Sequence, residues 1–365
     1  MAEATIDQEK SEAFAGLMVD VLNHGAIALM TSIGFQTGLF EAMAGQPPKT
    51  SNQVAELAGL NERYVREWLA AMATGRILEH DSIANTYQLP AEHSAWLTEA
   101  AGPDNLALQT QFIPLLALVE DPLIECFRNG GGVPYSQYPK LLEVIGQSSG
   151  AVNDAALIDA ILPLVAGLPE RLRDGIDVAD IGCGRGHAIN LMAQAFPKSR
   201  FVGYDYTEES VAAARAEAAA LALTNATFEQ KDVSQIDDHE RFDLITAFDA
   251  IHDQAKPARV LTAINQALRP DGVFLMVDVM ASSHVHENMD HMLGPLLYTI
   301  SCMHCMTVSL AMDGQGLGAM WGEQTALRML KDAGFSKVDI DQVEGDILNN
   351  YYIARNVDGH SARTI

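Results

Sequence analysis

The residues best suited to chemistry begin at Asp180. There an acid is followed by glycines at alternate positions, Asp180-Ile181-Gly182-Cys183-Gly184-Arg185-Gly186, directly after the apolar run Val178-Ala179 and before the helical pattern Ala188, Leu191, Met192, Ala195. Strand, tight turn and helix are spelled in this way, and such a turn brings backbone amides up to a ligand. A phosphate-cradling loop needs four residues between its glycines and a Lys-Ser or Lys-Thr pair after them, and neither is present. The dinucleotide fingerprint G-x-G-x-x-G would place its third glycine at 187 or 189, where His187 and Ile189 stand. What is left is a pocket of nucleotide type, or a glycine-rich turn that holds nothing.

An acid followed by G-x-G-x-G resembles the first motif of class I S-adenosylmethionine-dependent methyltransferases. That cofactor carries a sulfonium cation and an amino-acid group, so a carboxylate near the turn is electrostatically sensible. Two further acids fit the resemblance. Asp205 ends the next strand, Arg200-Phe-Val-Gly-Tyr-Asp205, 23 residues beyond Gly182, where a ribose diol needs an acceptor. Asp232 follows the third strand and can meet the exocyclic amine of an adenine, with Val233 beside the ring; taken alone, Asp232 reads as a helix cap. Tyr206, Phe248 and Asp249 flank these strand ends and are assigned to the same pocket, with S-adenosylmethionine as its cofactor.

The candidate base is His252. An imidazole with an ordinary pKa of about 6.5 suits proton abstraction near neutrality. His252-Asp253 is similar to the His-Asp-Trp motif of hydroxyl-methylating enzymes, in which that histidine is the base, although Gln254 stands in the third place. The acceptor's wall is expected from two stretches. One is Arg128 to Pro139, three consecutive glycines followed by Tyr135 and Tyr138, read as a mobile loop. The other is an insertion, residues 281–321, carrying His291, Tyr298 and His304 among many methionines. Cys302-Met-His-Cys305 has the spacing of half a zinc site, but no second cysteine pair exists, so it reads as an apolar helix face and no metal is expected.

The elements that position these groups follow from periodicity. Residues 12 to 43 read as two helices. A capping box at Thr50-Ser-Asn-Gln precedes a short helix, a second helix runs from Asn61 to Gly75, and two strands, Ile77-Leu78 and Tyr87-Gln88-Leu89, flank a polar wing. This is a winged helix-turn-helix. Nucleic-acid binding is not expected of it, because residues 1–90 hold 5 basic against 11 acidic residues and the whole chain carries a net charge of −25. An N-terminal winged helix before such a domain resembles small-molecule O-methyltransferases, where it serves dimerisation and walls the substrate pocket.

The alternating pattern from Ile176 predicts an α/β fold, a seven-stranded Rossmann-like methyltransferase sheet with an N-terminal all-helical and winged-helix domain. The expected division is 1–98 winged helix, 99–170 helical connector, and 171–365 methyltransferase domain. The acidic N-terminus lacks a signal-peptide pattern, the apolar stretch from Gly25 to Met43 is interrupted by polar residues, and the four cysteines suggest reduced thiols. The expectation is a cytoplasmic homodimer, bound to neither membrane nor nucleic acid, that methylates a small acceptor. A ligand-sensing regulator and an RNA methyltransferase are the alternatives. The sequence names neither the acceptor nor the atom methylated.

Overall fold

In the computed structural model, which describes residues 6–356, Asp7 accepts a hydrogen bond from the Lys10 amide and caps a 29-residue helix, Gln8–Gln36. Gly38, with φ 71°, turns the chain into the short helix Leu39–Met43. The chain divides into two compact units between Leu115 and Leu116, so the expected connector 99–170 is shared between them. Met1–Thr5 and Val357–Ile365, the two ends of the first and last expected domains, lie outside the described residues.

In the first unit the capping box forms as expected. The Thr50 side chain accepts from the Gln53 amide and Gln53 reaches back to the Thr50 backbone, starting helix Ser51–Ala58. Asn61 caps helix Glu62–Thr74, whose Val65, Trp68, Leu69 and Met72 join Leu39, Phe40, Met43 and Val54 in one core. The Trp68 indole donates to the Met30 carbonyl at 2.8 Å, tying the end of the first helix to this core. The hairpin is β1 (Glu79–Asp81) with β2 (Thr86–Gln88). β1 starts beyond the expected Ile77-Leu78, because both those amides turn back to the Met72 carbonyl and Leu78 is buried in the core. By length and composition the helix Gln8–Gln36 could cross a membrane; its apolar window is unburied in this unit, and burial begins near its end at Thr31, Ser32 and Gly34. The helix Glu62–Thr74 spends its arginines on itself, Arg63 pairing with Glu67 at 2.5 Å and Arg66 with Glu62 at 2.6 Å.

The second unit holds one sheet of seven strands: β3 (Asp177–Ile181), β4 (Arg200–Asp205), β5 (Ala226–Gln230), β6 (Phe242–Phe248), β7 (Leu268–Val279), β8 (Lys337–Asp341) and β9 (Asn349–Arg355). Their order is β5-β4-β3-β6-β7-β9-β8, with only β9 antiparallel to its neighbours. Successive residues bury opposite faces: Ala179, Tyr204, Ile245 and Phe274 on one side, Val178, Phe201, Leu244 and Leu275 on the other. Burial on both sides explains the unbroken apolar runs. The order reverses between β3 and β6, and that switch opens a crevice at the carboxyl ends of the strands.

Two readings of turn-forming residues fail here. Arg269-Pro-Asp-Gly272, whose proline and glycine predict a break between the helix before it and the strand from Val273, does not interrupt the strand. It forms a bulge within β7, between the pairs Phe242↔Leu268 and Leu244↔Val273, held by Arg269 on the carboxylates of Asp177 and Asp243. The glycine-rich stretch is pinned rather than mobile. A Cβ on Gly132 would come within 2.0 Å of the Thr307 carbonyl oxygen, and the Val133 amide donates to Thr307 Oγ1 at 2.8 Å.

Candidate functional site

The crevice is floored by the glycine turn. Gly182, Gly184 and Gly186 have φ of 71°, 52° and 77°, a region that costs other residues strain. A Cβ on Gly182 would meet Ala250, and one on Gly186 would meet Ala214 and Phe228, but one on Gly184 would point into open space. The middle glycine thus leaves the backbone bare toward the crevice. Beneath it Asp180 is 2% exposed and accepts a hydrogen bond from Thr246 Oγ1 at 2.7 Å. Burial, with the nearby Asp205 charge adding to it, pushes its carboxyl up to about 7 against the pull of Thr246.

Asp205 ends β4 and accepts from the Gly184 amide at 2.9 Å and from the Thr207 amide and hydroxyl, so the second strand end braces the turn of the first. Asp232 forms the cap that a lone acid predicts. It accepts from the Ser234 amide at 2.9 Å and from Gln235 at 2.7 Å. Burial works to raise its carboxyl, but these hydrogen bonds outweigh it and hold it below the usual range. Val233 is buried in the core, Tyr206 is exposed, and Phe248 is partly buried at the end of β6. Asp249 follows with φ 49° and is exposed as a residue, while protein crowding of its carboxyl together with the Asp278 charge raises it.

His252 lies on the next loop and is 4% exposed. Its Nδ1 meets Asp278 Oδ1 at 2.8 Å, and Nε2 stands 3.4 Å from Asp253 Oδ1. Burial alone would disfavour the charged ring, but the charges of Asp278 and Asp253 overcome it and hold the proton well above the ordinary histidine range. Asp278, at the end of β7, also accepts from the Trp321 indole at 2.9 Å and from the Val279 amide. The sequence reading gave Asp278 and Trp321 no role. For Asp278 the signal was present, since it is another acid near a strand end. For Trp321 there was none.

The glycine-rich stretch delivers both tyrosines to this region. Tyr138 spends its hydroxyl on the Met303 carbonyl at 2.5 Å, and its ring meets His304 edge-on at 5.2 Å. Tyr135 also packs edge-on to His304, at 5.6 Å. Burial and the adjoining Asp253 carboxylate raise its hydroxyl. His304 is 3% exposed, with Nε2 unpartnered, and burial lowers its affinity for a proton. Two other expected acceptor residues are committed elsewhere. His291 uses both ring nitrogens on backbone, the Met280 carbonyl at 3.0 Å and the Leu293 amide at 3.2 Å, and the Tyr298 hydroxyl accepts from Asn288 at 3.0 Å. Cys305 is buried beside His252 and Asp253, while Cys302 is only partly buried. A cavity of about 580 Å³ between Leu123, Phe127, Met306 and Leu310 includes none of these groups.

A doubly wound sheet with a bare glycine turn at its switch point, acids at successive strand ends and a His–Asp pair beside them defines the methyltransferase class. Comparison gives the particulars: residues 172–334 match the methyltransferase domain family, and residues 25–99 match the Rv2258c-like winged HTH domain. The chain thus carries a methyltransferase domain over residues 172–334 with a winged helix-turn-helix domain in front of it. Over 130 residues it is 36% identical to trans-aconitate 2-methyltransferase of Deinococcus radiodurans, covering 36% of this chain and 46% of that protein. The chain spans about half the length of the curated relatives it matches, 46%, 39% and 53% for three of them. Among solved structures, that of mitomycin 7-O-methyltransferase has a TM-score of 0.70 at 18% identity, covering 96% of this chain and 100% of that one. The structure of human N-acetylserotonin methyltransferase in complex with SAM has a TM-score of 0.64 at 16% identity, covering 98% and 100%. At such identities the likeness is one of fold.

Proposed function

We propose that this chain transfers a methyl group from S-adenosylmethionine to a hydroxyl of a small-molecule acceptor, with His252 as general base. One observation supports the reading most: His252 Nδ1 is locked onto Asp278, itself held by Trp321 and Val279, while Nε2 is bound to no backbone group among the described residues. That fixes the ring plane and leaves a single nitrogen for a substrate proton.

The residues fit the cofactor. The open space at Gly184 admits a ligand against bare backbone, and the raised carboxyl of Asp180 would be drawn into its ionised form by a positive charge nearby. When bound, the cofactor supplies a methyl group already activated on a sulfonium. The chain's task is then alignment, exclusion of water and movement of one proton. In the free protein the charges of Asp278 and Asp253 favour the protonated ring against its burial, and a cation held in the crevice favours the neutral ring that a base requires. The imidazolium formed on proton uptake is stabilised by the same two carboxylates.

The test is His252→Ala with a panel of small hydroxylated aromatic acceptors, following S-adenosylhomocysteine release and, separately, cofactor affinity by calorimetry. Turnover should fall about 10²-fold or more while cofactor affinity stays within about threefold; equal losses in both would refute a base. We also propose a cytoplasmic homodimer. The exposed Phe14, Leu17, Met18, Val21 and Leu22 of the first helix support burial against a second copy, and a monomer by light scattering would refute it.

A further inference from the structure

The groups around His252 have a second chemistry. A ring nitrogen of His252, a carboxylate oxygen of Asp253 and the thiol of Cys305 all lie within 4.8 Å of one another. Two nitrogen or oxygen ligands on a tetrahedral zinc, each at about 2.0–2.1 Å, stand about 3.4 Å apart. His252 Nε2 and Asp253 Oδ1 stand 3.4 Å apart already. Asp253 Oδ1 is buried and, apart from this approach of the His252 ring, makes no contact with the geometry of a hydrogen bond among the described residues. Cys305 is brought in by a wide π-helical turn, Ser301–Cys305, of the kind that often marks functional positions. The other nitrogen of His252 is held by Asp278, which Trp321 orients, and metal-ligating histidines are commonly held by a carboxylate in this way.

We propose that His252 Nε2, Asp253 and Cys305 form a site for a soft divalent cation of the zinc and cadmium type. One imidazole, one carboxylate and one thiolate suit such ions and not magnesium or calcium, which take oxygen ligands. Three protein ligands leave a fourth position for water or an exogenous ligand. Binding releases the thiol proton of Cys305, and that of Nε2 where the ring carries one, to solvent; nothing is oxidised or reduced. The pairing also revises the meaning of the C-x-x-C: Cys305 works with residues fifty positions upstream, not with Cys302.

Cadmium alone is the probe, since a thiolate bound to it absorbs in the near ultraviolet. Titration of the full chain, without cofactor or acceptor, should give that band at one ion per chain. A Cys126→Ser, Cys183→Ser, Cys302→Ser variant, which keeps Cys305, should retain it. Cys305→Ser should abolish the band, and Asp253→Asn should weaken binding about tenfold or more, with circular dichroism confirming that both stay folded. The proposal is overturned if wild type shows no band, or if the band survives Cys305→Ser and is lost from the triple variant. None of these readings depends on methyl transfer, so the cation site and the base can fail separately.

Discussion

Replacing Asp180 by Asn should strengthen the free protein while weakening its grip on the cofactor. Asp180 sits under the glycine turn at 2% exposure with a carboxyl raised from 3.8 to about 7, chiefly by burial. Its folded-state pKa lies above its unfolded one, so between about pH 4 and pH 7 the native chain binds more protons than the unfolded chain. Stability therefore falls as pH rises through that window and stays lowered above it. At about 1.4 kcal/mol per pH unit the interval sets a ceiling of about 4 kcal/mol, of which protein relaxation leaves about half, about 2 kcal/mol. Asn cannot ionise, yet its amide oxygen still accepts from Thr246. The assay is urea unfolding of both proteins at pH 5 and pH 8. The Asn variant should gain about 0.5–1 M in midpoint at pH 8, taking a slope of about 2–3 kcal/mol/M, and clearly less at pH 5. A variant less stable than wild type at pH 8, or a gap independent of pH, would show that Asp180 carries no burial penalty. Calorimetry should find cofactor affinity down tenfold or more.

Tyr138→Phe should leave kinetics unchanged and cost about 1 kcal/mol of stability, because its hydroxyl is spent on the Met303 carbonyl; Tyr135→Phe, which loses the hydroxyl beside Asp253, should lower turnover, and the reverse result would exchange their roles. Gly132→Ala should cost about 2–4 kcal/mol, since its Cβ would come within 2.0 Å of the Thr307 carbonyl oxygen, and a melting temperature within 2 °C of wild type, a margin well below the shift of about 4 °C such a loss implies, would restore the mobile-loop reading. His187 lies between Glu217 at 2.6 Å and Asp154 at 2.9 Å, and although burial opposes it, these carboxylates raise its pKa. The stabilisation is complete below about pH 6.5 and fades as pH rises through the folded-state value, so the advantage of wild type over His187→Gln should shrink from pH 6 to pH 9.

The sheet was legible because burial on both faces writes each strand as an apolar run, and because the acids that end β4 and follow β3's Asp180 mark where the runs stop. The winged helix was legible through its caps, Thr50 and Asn61, which act within four residues of themselves. What failed was non-local. Three glycines in a row read as freedom, but Gly132 is a glycine because the backbone of Thr307 to Ala311, some 175 positions on, leaves no room for a Cβ. Cys302 and Cys305 read as one apolar helix face, while the π-helical turn at Ser301–Cys305 buries Cys305 beside His252 and Asp253 and leaves Cys302 only partly buried. Arg269-Pro-Asp-Gly272 carries every mark of a turn, yet Asp177 and Asp243 hold Arg269 in the sheet as a bulge.

Asp278 decides what His252 can do. Its Oδ1 accepts from the imidazole, from the Trp321 indole and from the Val279 amide, so the ring cannot rotate or exchange its nitrogens without breaking a buried hydrogen bond. Every other chemistry of the residue therefore falls to Nε2, and Nε2 has one lone pair. A proton from an acceptor and a cation shared with Asp253 and Cys305 must compete for it. If both proposals hold, activity and bound metal vary inversely: a chelator raises turnover in protein purified with zinc, added zinc lowers it, and Cys305→Ser, which keeps the base but loses the thiolate, turns over at the same rate whether zinc is present or absent. Zinc that raises turnover would instead make the ion a partner in deprotonating the acceptor, and His252 its ligand rather than the base.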